Sequence, residues 1–257
     1  MVVPTGGSVV AFTSGYKYLF GTLSDNVRII EPLVEAAMSR QDPPKTAAIA
    51  ARNDMYTIAV SENFKKVAET AGIKVIAFDK YAPGTKDFSS VITKFKQDRP
   101  DWIFIAGYLE ELITATKNMK QLDVNAKIVS MTAGPSYYDY IEGLGKDSDY
   151  VSTPTWWHEN ARWKGDDIFG SNENYVKLFK KEYQHRPDYL SASASACSVV
   201  FQKAIEKANS LDPNKIRDAM AALDFISFFG PIKFGPVGQN IALPGIVLQI
   251  KDKDWLI

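Results

Sequence analysis

Thr46-Ala-Ala-Ile-Ala-Ala51 opens the part of the chain that decides the fold, and Lys74-Val-Ile-Ala-Phe78, Trp102-Ile-Phe-Ile-Ala106 and Ala126-Lys-Ile-Val-Ser130 repeat its character. Each run is short, apolar and β-prone, and each starts about 24 to 28 residues after the one before. That spacing suits a strand, a crossover helix and two turns, so the runs are predicted to lie parallel in one sheet. Between them Val60, Phe64, Val67, Ala68 and Ala71 fall on one helical face, with Gly72 as a stop. Phe88, Val91, Ile92 and Phe95 repeat that period, as do Leu109, Leu112, Ile113, Thr116 and Met119. Upstream, Val27, Ile30, Leu33, Val34, Ala37 and Met38 predict another helix, closed by Gln41-Asp-Pro-Pro44. An open, doubly wound α/β domain follows.

From Pro154 the rhythm breaks. A tryptophan-rich polar segment, Thr155-Trp-Trp-His-Glu-Asn160 through Gly170, leads to a helix predicted over about 172–184, in which Tyr175, Leu178, Phe179 and Tyr183 share a face. A helix rich in small residues is predicted from Tyr189 to Ala208, and Asp212-Pro213 supply an N-cap and a first-turn proline for the next. Ile232-Lys-Phe234, Ile246-Val-Leu-Gln-Ile250 and Trp255-Leu-Ile257 read as short strands.

Composition narrows the function. The 257 residues are 46% hydrophobic, and 30 acidic residues balance 30 basic ones, so the chain can bury a sizeable core and lacks the positive excess of a nucleic-acid binder. The basic runs, Lys65-Lys66 and Lys180-Lys181, are only pairs, which read as solvated helix faces. No apolar run approaches the roughly 18 to 20 residues of a transmembrane helix. Cys197 is the only cysteine, so neither an internal disulfide nor a thiolate metal cluster can form, and its small apolar neighbours predict a buried thiol. His158 and His185 belong to no metal-spaced pair and read as polar surface residues. Phosphate-loop, dinucleotide-loop and nucleophile-elbow patterns are absent, and no cofactor, metal or catalytic group is expected.

Several strings then carry a family resemblance: Gly15-Tyr-Lys-Tyr-Leu-Phe-Gly-Thr22, Asn53-Asp-Met-Tyr56, Pro83-Gly-Thr-Lys-Asp-Phe88, Arg186-Pro-Asp-Tyr189, Ile216-Arg-Asp-Ala219 and Gly230-Pro-Ile-Lys-Phe234. In this order the chain resembles the type I periplasmic solute-binding proteins of ABC importers, above all the branched-chain amino acid and amide binding group. The resemblance implies an α/β, two-lobe periplasmic-binding-protein type I fold with open parallel sheets, joined by three crossover strands. It places residues 1–26 and 157–232 in the first lobe, and 27–156 with 233–257 in the second. The family carries roughly a hundred further residues before the position of Met1, about a small domain's worth, so the first lobe is expected to be incomplete.

The resemblance also nominates a site. Thr5-Gly6-Gly7-Ser8 is similar to the loop that meets a solute carboxylate through backbone N–H groups and a hydroxyl, although a glycine turn alone is also an ordinary tight turn. Tyr56 and Tyr108 follow the ends of two predicted parallel strands, where open α/β sheets place their crevice, and half-buried packing is the plain alternative for both. Asp54 reads as a loop cap. Thr132 falls near the place where amino acid binders of the family carry an acid for the α-ammonium, a charge that threonine cannot supply. Trp156 and Trp157 lie near a predicted crossover and could stack on a solute, one of the pair being structural. The expected protein is a periplasmic or extracellular binder of a small polar or aromatic solute, whose lobes close on it for delivery to an ABC permease. A ligand-sensing domain of the same fold is the alternative, and an enzyme the reading from another class.

Overall fold

The computed structural model describes residues 1–7 and 9–257. The chain divides into two compact units, Met1–Arg28 with Trp156–Pro244, and Ile29–Thr155 with Gly245–Ile257. In chain order the strands are β1 (Val2–Val3), β2 (Phe20–Gly21), β3 (Thr46–Arg52), β4 (Lys74–Tyr81), β5 (Trp102–Ala106), β6 (Ile128–Met131), β7 (Val151–Thr155), β8 (Asp224–Ser227), β9 (Gly230–Lys233), β10 (Ile246–Lys251) and β11 (Asp254–Leu256). The helices are α1 (Asn26–Met38), α2 (Met55–Thr70), α3 (Ser89–Asp98), α4 (Leu109–Gln121), α5 (Tyr138–Leu144), α6 (Asn172–Tyr183), α7 (Tyr189–Ala208) and α8 (Pro213–Ala221).

The second unit is built on a seven-stranded sheet of order β11-β10-β7-β6-β5-β3-β4. Strands β4, β3, β5, β6 and β7 run parallel, while β10 is antiparallel to both β7 and β11. Every residue of β5 is buried, as expected of a parallel strand covered on both faces. Its side chains alternate between two cores. Phe64 of α2 stacks on Phe104 at 4.2 Å and meets Trp102 edge-on at 4.8 Å. Ile103 and Ile105 point the other way, into a cluster with Ile92 and Phe95 of α3 and Leu112 and Met119 of α4. Polar groups inside this sheet pair with one another: the Trp102 indole N–H donates to Ser130 Oγ at 2.9 Å, and Ser130 and Ser152 share a bond at 2.7 Å. Strand β7 holds the very residue at which the sequence pattern breaks. Its pairing to β6 ends at Ser152, so at Pro154 that side carries no ladder for a missing N–H to interrupt.

The first unit contains the parallel pair β1-β2 and the antiparallel pair β8-β9. Its core is aromatic: Tyr175 of α6 stacks on Phe228 at 4.2 Å, Phe169 meets Phe228 edge-on at 4.7 Å, and Phe20 meets Phe234 edge-on at 5.1 Å. The small residues of α7 let it pack tightly, and Thr22 and Ser193 share a buried hydrogen bond of 2.6 Å. Residues 233–244, expected in the second lobe, lie in the first unit. The cause is backbone pairing to β2: Gly21 N donates to Gly238 O at 2.9 Å and Asn240 N donates to Gly21 O at 3.0 Å. His158, expected at the surface, is buried, and its Nδ1 accepts from the Asn160 backbone N–H at 3.2 Å. Cys197 is buried as its neighbours predict.

Candidate functional site

In the second unit the expected residues gather at the carboxyl ends of the parallel strands, where such sheets hold ligands. Asp54 caps α2: its Oδ1 accepts from the Tyr56 and Thr57 backbone N–H groups, both at 3.0 Å. That cap turns Tyr56 into the first turn of α2, half-buried, where its ring stacks against Tyr108 with centroids 6.3 Å apart and planes 29° apart. Tyr108 sits at the N-cap of α4 and is 47% exposed, leaving much of its side chain to solvent.

A third group completes this platform, and sequence reasoning missed it. Arg52, the last residue of β3, places its guanidinium carbon 4.7 Å from the centre of the Tyr108 ring, a cation–π contact. Its Nε opposes Asp54 Oδ2 at 3.0 Å, and its Nη1 lies 3.4 Å from each oxygen of Glu111. Glu111 is buried at the first turn of α4, where Oε1 accepts from Gly84 N at 2.9 Å and Oε2 from Tyr108 N at 3.3 Å. One cation thus stands between two carboxylates, each also tied to backbone N–H groups. Burial pushes the Tyr108 hydroxyl above its usual range, reinforced by the negative charge of Asp54, so the ring stays neutral near pH 7.

The platform needs a glycine at 107. A β-carbon there would lie 2.2 Å from the Tyr81 hydroxyl, which itself donates to Ala106 O at 2.8 Å. Burial, followed by the negative charge of Glu111, raises the Tyr81 pKa far above its usual value, which fixes the hydroxyl as a donor. Thr132 follows the last residue of β6. It is 2% exposed, and its hydroxyl is committed to Gly107, accepting from N at 3.0 Å and donating to O at 2.7 Å. It ties the end of β6 to the end of β5.

In the first unit Thr5 is exposed, Gly6 half-buried and Gly7 buried; Ser8 lies outside the described residues. Gly7 is required by close approach, since a β-carbon would fall 2.5 Å from the Trp156 ring and 2.6 Å from Asn26 Oδ1. Trp156 is only 2% exposed: its indole N–H donates to Ser24 O at 2.9 Å and its ring packs 5.4 Å from Tyr189. It therefore backs the glycine loop and offers no open stacking face. Trp157, 1% exposed and stacked on Phe229, belongs to the aromatic core.

Among the described residues no group of three or more histidine, cysteine or carboxylate side chains could hold a metal, and no helix is long and apolar enough to cross a membrane. A cavity of about 350 Å³ opens at the opposite, amino-terminal end of the second unit's strands, beside Met119, Lys120, Asp149 and Tyr150, and shares no residue with the tyrosine platform.

A family model described as periplasmic binding protein matches residues 2–254. The leucine-, isoleucine-, valine-, threonine- and alanine-binding protein of Pseudomonas aeruginosa is 25% identical over 241 residues, which are 93% of this chain and 62% of that protein. The chain thus spans less than two thirds of that relative's length. The crystal structure of a leucine binding protein from Thermotoga maritima covers all of this chain and 72% of its own, with a TM-score of 0.88 and 21% identity. A solute binding protein of an ABC transporter from R. palustris, solved in complex with benzoate, covers 99% of this chain and 69% of its own, with a TM-score of 0.82 and 16% identity. These likenesses establish the fold as the α/β type I periplasmic binding protein fold.

Proposed function

Because the chain belongs to the periplasmic binding protein family, matched over residues 2–254, we propose that it serves as the extracytoplasmic solute-binding component of an ABC importer, delivering a small polar or aromatic solute to a membrane permease. The observation that carries this reading is the Tyr56–Tyr108 stack at the carboxyl ends of the parallel strands. Two flat rings with hydroxyl edges suit a small amphipathic body. On the first unit the Thr5-Gly6-Gly7 turn supplies backbone N–H groups suited to an oxygen-bearing end, with Trp156 as its rigid backing. We take the two units as the two lobes of the family fold.

The names of the relatives span two solute classes, α-amino acids for the Pseudomonas aeruginosa protein and an aromatic carboxylate for the R. palustris one. Both classes belong in the test. Thermal shift of the chain against amino acids, amides and aromatic acids is expected to find one class that raises Tm. A solute at a hundred times its Kd adds about 2.7 kcal/mol to the folded state. No stabilisation by any class, together with turnover in hydrolysis assays, overturns the reading in favour of an enzyme.

A further inference from the structure

We infer that Arg52 fills, from within the protein, the place an ammonium group would take between Asp54 and Glu111, so that the site selects solutes bearing a carboxylate or similar oxygen acceptor on a flat apolar body and rejects those bearing an ammonium. This rests on the solute-binding reading above and names the chemistry of its solute.

The two carboxylates that could hold an ammonium already have partners. A solute ammonium needs carboxylate or carbonyl acceptors, and both carboxylates of the platform are engaged. Asp54 accepts from two backbone N–H groups at Oδ1, and its buried Oδ2, which makes no hydrogen bond, stands 3.0 Å from Arg52 Nε as an ion pair. Glu111 spends one oxygen on Gly84 N and the other on Tyr108 N, and both face Arg52. An arriving ammonium would also meet the guanidinium's like charge at short range, where a partly buried setting screens it poorly. Thr132 is 2% exposed and its hydroxyl is bonded to Gly107 N and O, so burial keeps its remaining lone pair from an arriving ammonium.

Arg52, in contrast, has capacity left. Guanidinium carries five N–H donors in a rigid fork, and among the described residues Nη2 bonds to nothing. Its side chain keeps 25% of its surface exposed, while the Glu111 side chain beneath keeps 8%. The fork is held in place on one face by the Tyr108 ring, and that ring continues into Tyr56. A planar or apolar body laid on the tyrosines would bring an attached oxygen acceptor to a pre-positioned donor, with little side-chain ordering left to do.

Three probes built on the same phenylethyl body vary the head group: 3-phenylpropanoate has the carboxylate, phenethylamine the ammonium, and L-phenylalanine both. Calorimetric titration of the chain is expected to show 3-phenylpropanoate binding at least about tenfold tighter than L-phenylalanine, with phenethylamine weakest; tenfold is the scale of a single charge-assisted hydrogen bond. Arg52→Met keeps the length of the stem and removes the charge. It is expected to weaken 3-phenylpropanoate about tenfold or more and to strengthen phenethylamine, whereas Arg52→Lys, which keeps the charge without the fork, falls between. Circular dichroism confirms that each variant is folded. Should Arg52→Met fail to fold, the order of the three probes on the unaltered chain still decides. L-phenylalanine, leucine or phenethylamine binding at least as tightly as 3-phenylpropanoate overturns the inference and leaves the solute-binding reading standing. Unchanged binding of 3-phenylpropanoate by folded Arg52→Met does the same. Binding of none of these probes and of no member of the wider panel overturns both.

Discussion

Replacing Gly107 with alanine tests the packing that supports the tyrosine platform. The new β-carbon would sit 2.2 Å from the Tyr81 hydroxyl, 3.3 Å from Glu111 Oε2 and 3.4 Å from a Leu112 methyl. Only the first of these contacts is impossible as it stands. Because the hydroxyl ends a rigid ring that packs edge-on against Phe88 at 4.8 Å, it cannot swing aside alone, and moving it stretches the 2.8 Å bond to Ala106 O. Overpacking costs about 1–3 kcal/mol and a lost buried hydrogen bond about 1–3 kcal/mol, against a gain of about 0.4–1 kcal/mol from a stiffer unfolded chain. The net expectation is a loss of about 2–4 kcal/mol, read by urea denaturation followed by circular dichroism. Tyr81→Phe removes the clashing atom, alone costs about 1 kcal/mol, and should rescue Gly107→Ala in the double variant, with a coupling energy of about 1 kcal/mol or more. Strict additivity of the two changes, or a Gly107→Ala cost below about 0.5 kcal/mol, would refute the reasoning.

Thr132→Val keeps the shape and deletes both bonds to Gly107, leaving a buried N–H and C=O without that partner. Calorimetry should find about 1–3 kcal/mol lost, and a change below about 0.5 kcal/mol would contradict a structural role for the two bonds. Burial pushes the Cys197 thiol up to about 11 from an ordinary value of 9.0, offset in part by the Thr22 hydroxyl nearby. The raised value means the folded state favours the neutral thiol. Its contribution to stability is complete below pH 9.0 and is lost as pH rises toward about 11. A thiol reagent at pH 8 should therefore label the chain only in denaturant, and rapid labelling of the folded chain would contradict the burial.

Much of the second unit was legible because its physics is local and periodic. The four short apolar runs and the helical faces between them follow from the two repeat lengths of backbone structure, and β5 reads as continuous apolar sequence because both its faces are covered. Strand β7 was not legible. Val151–Thr155 contains a proline, and what makes it a strand is pairing with β10, which lies far along the chain. The same reason explains residues 233–244, whose placement depends on hydrogen bonds to Gly21 near the other end of the sequence.

For the site, the sequence by itself determined that Tyr56 and Tyr108 follow parallel strands and that Asp54 serves as a loop cap, since each of these depends on neighbours a few residues away. Tertiary structure alone decided which nominated side chains are available. Trp156, Trp157 and Thr132 are withdrawn into packing and hydrogen bonds whose partners are remote in sequence. It alone also joined Arg52 to Glu111, 59 positions apart, and set the pair against Tyr108. A residue's type and local period are fixed by the chain, but whether its charge or hydroxyl is already spent depends on what folding brings beside it.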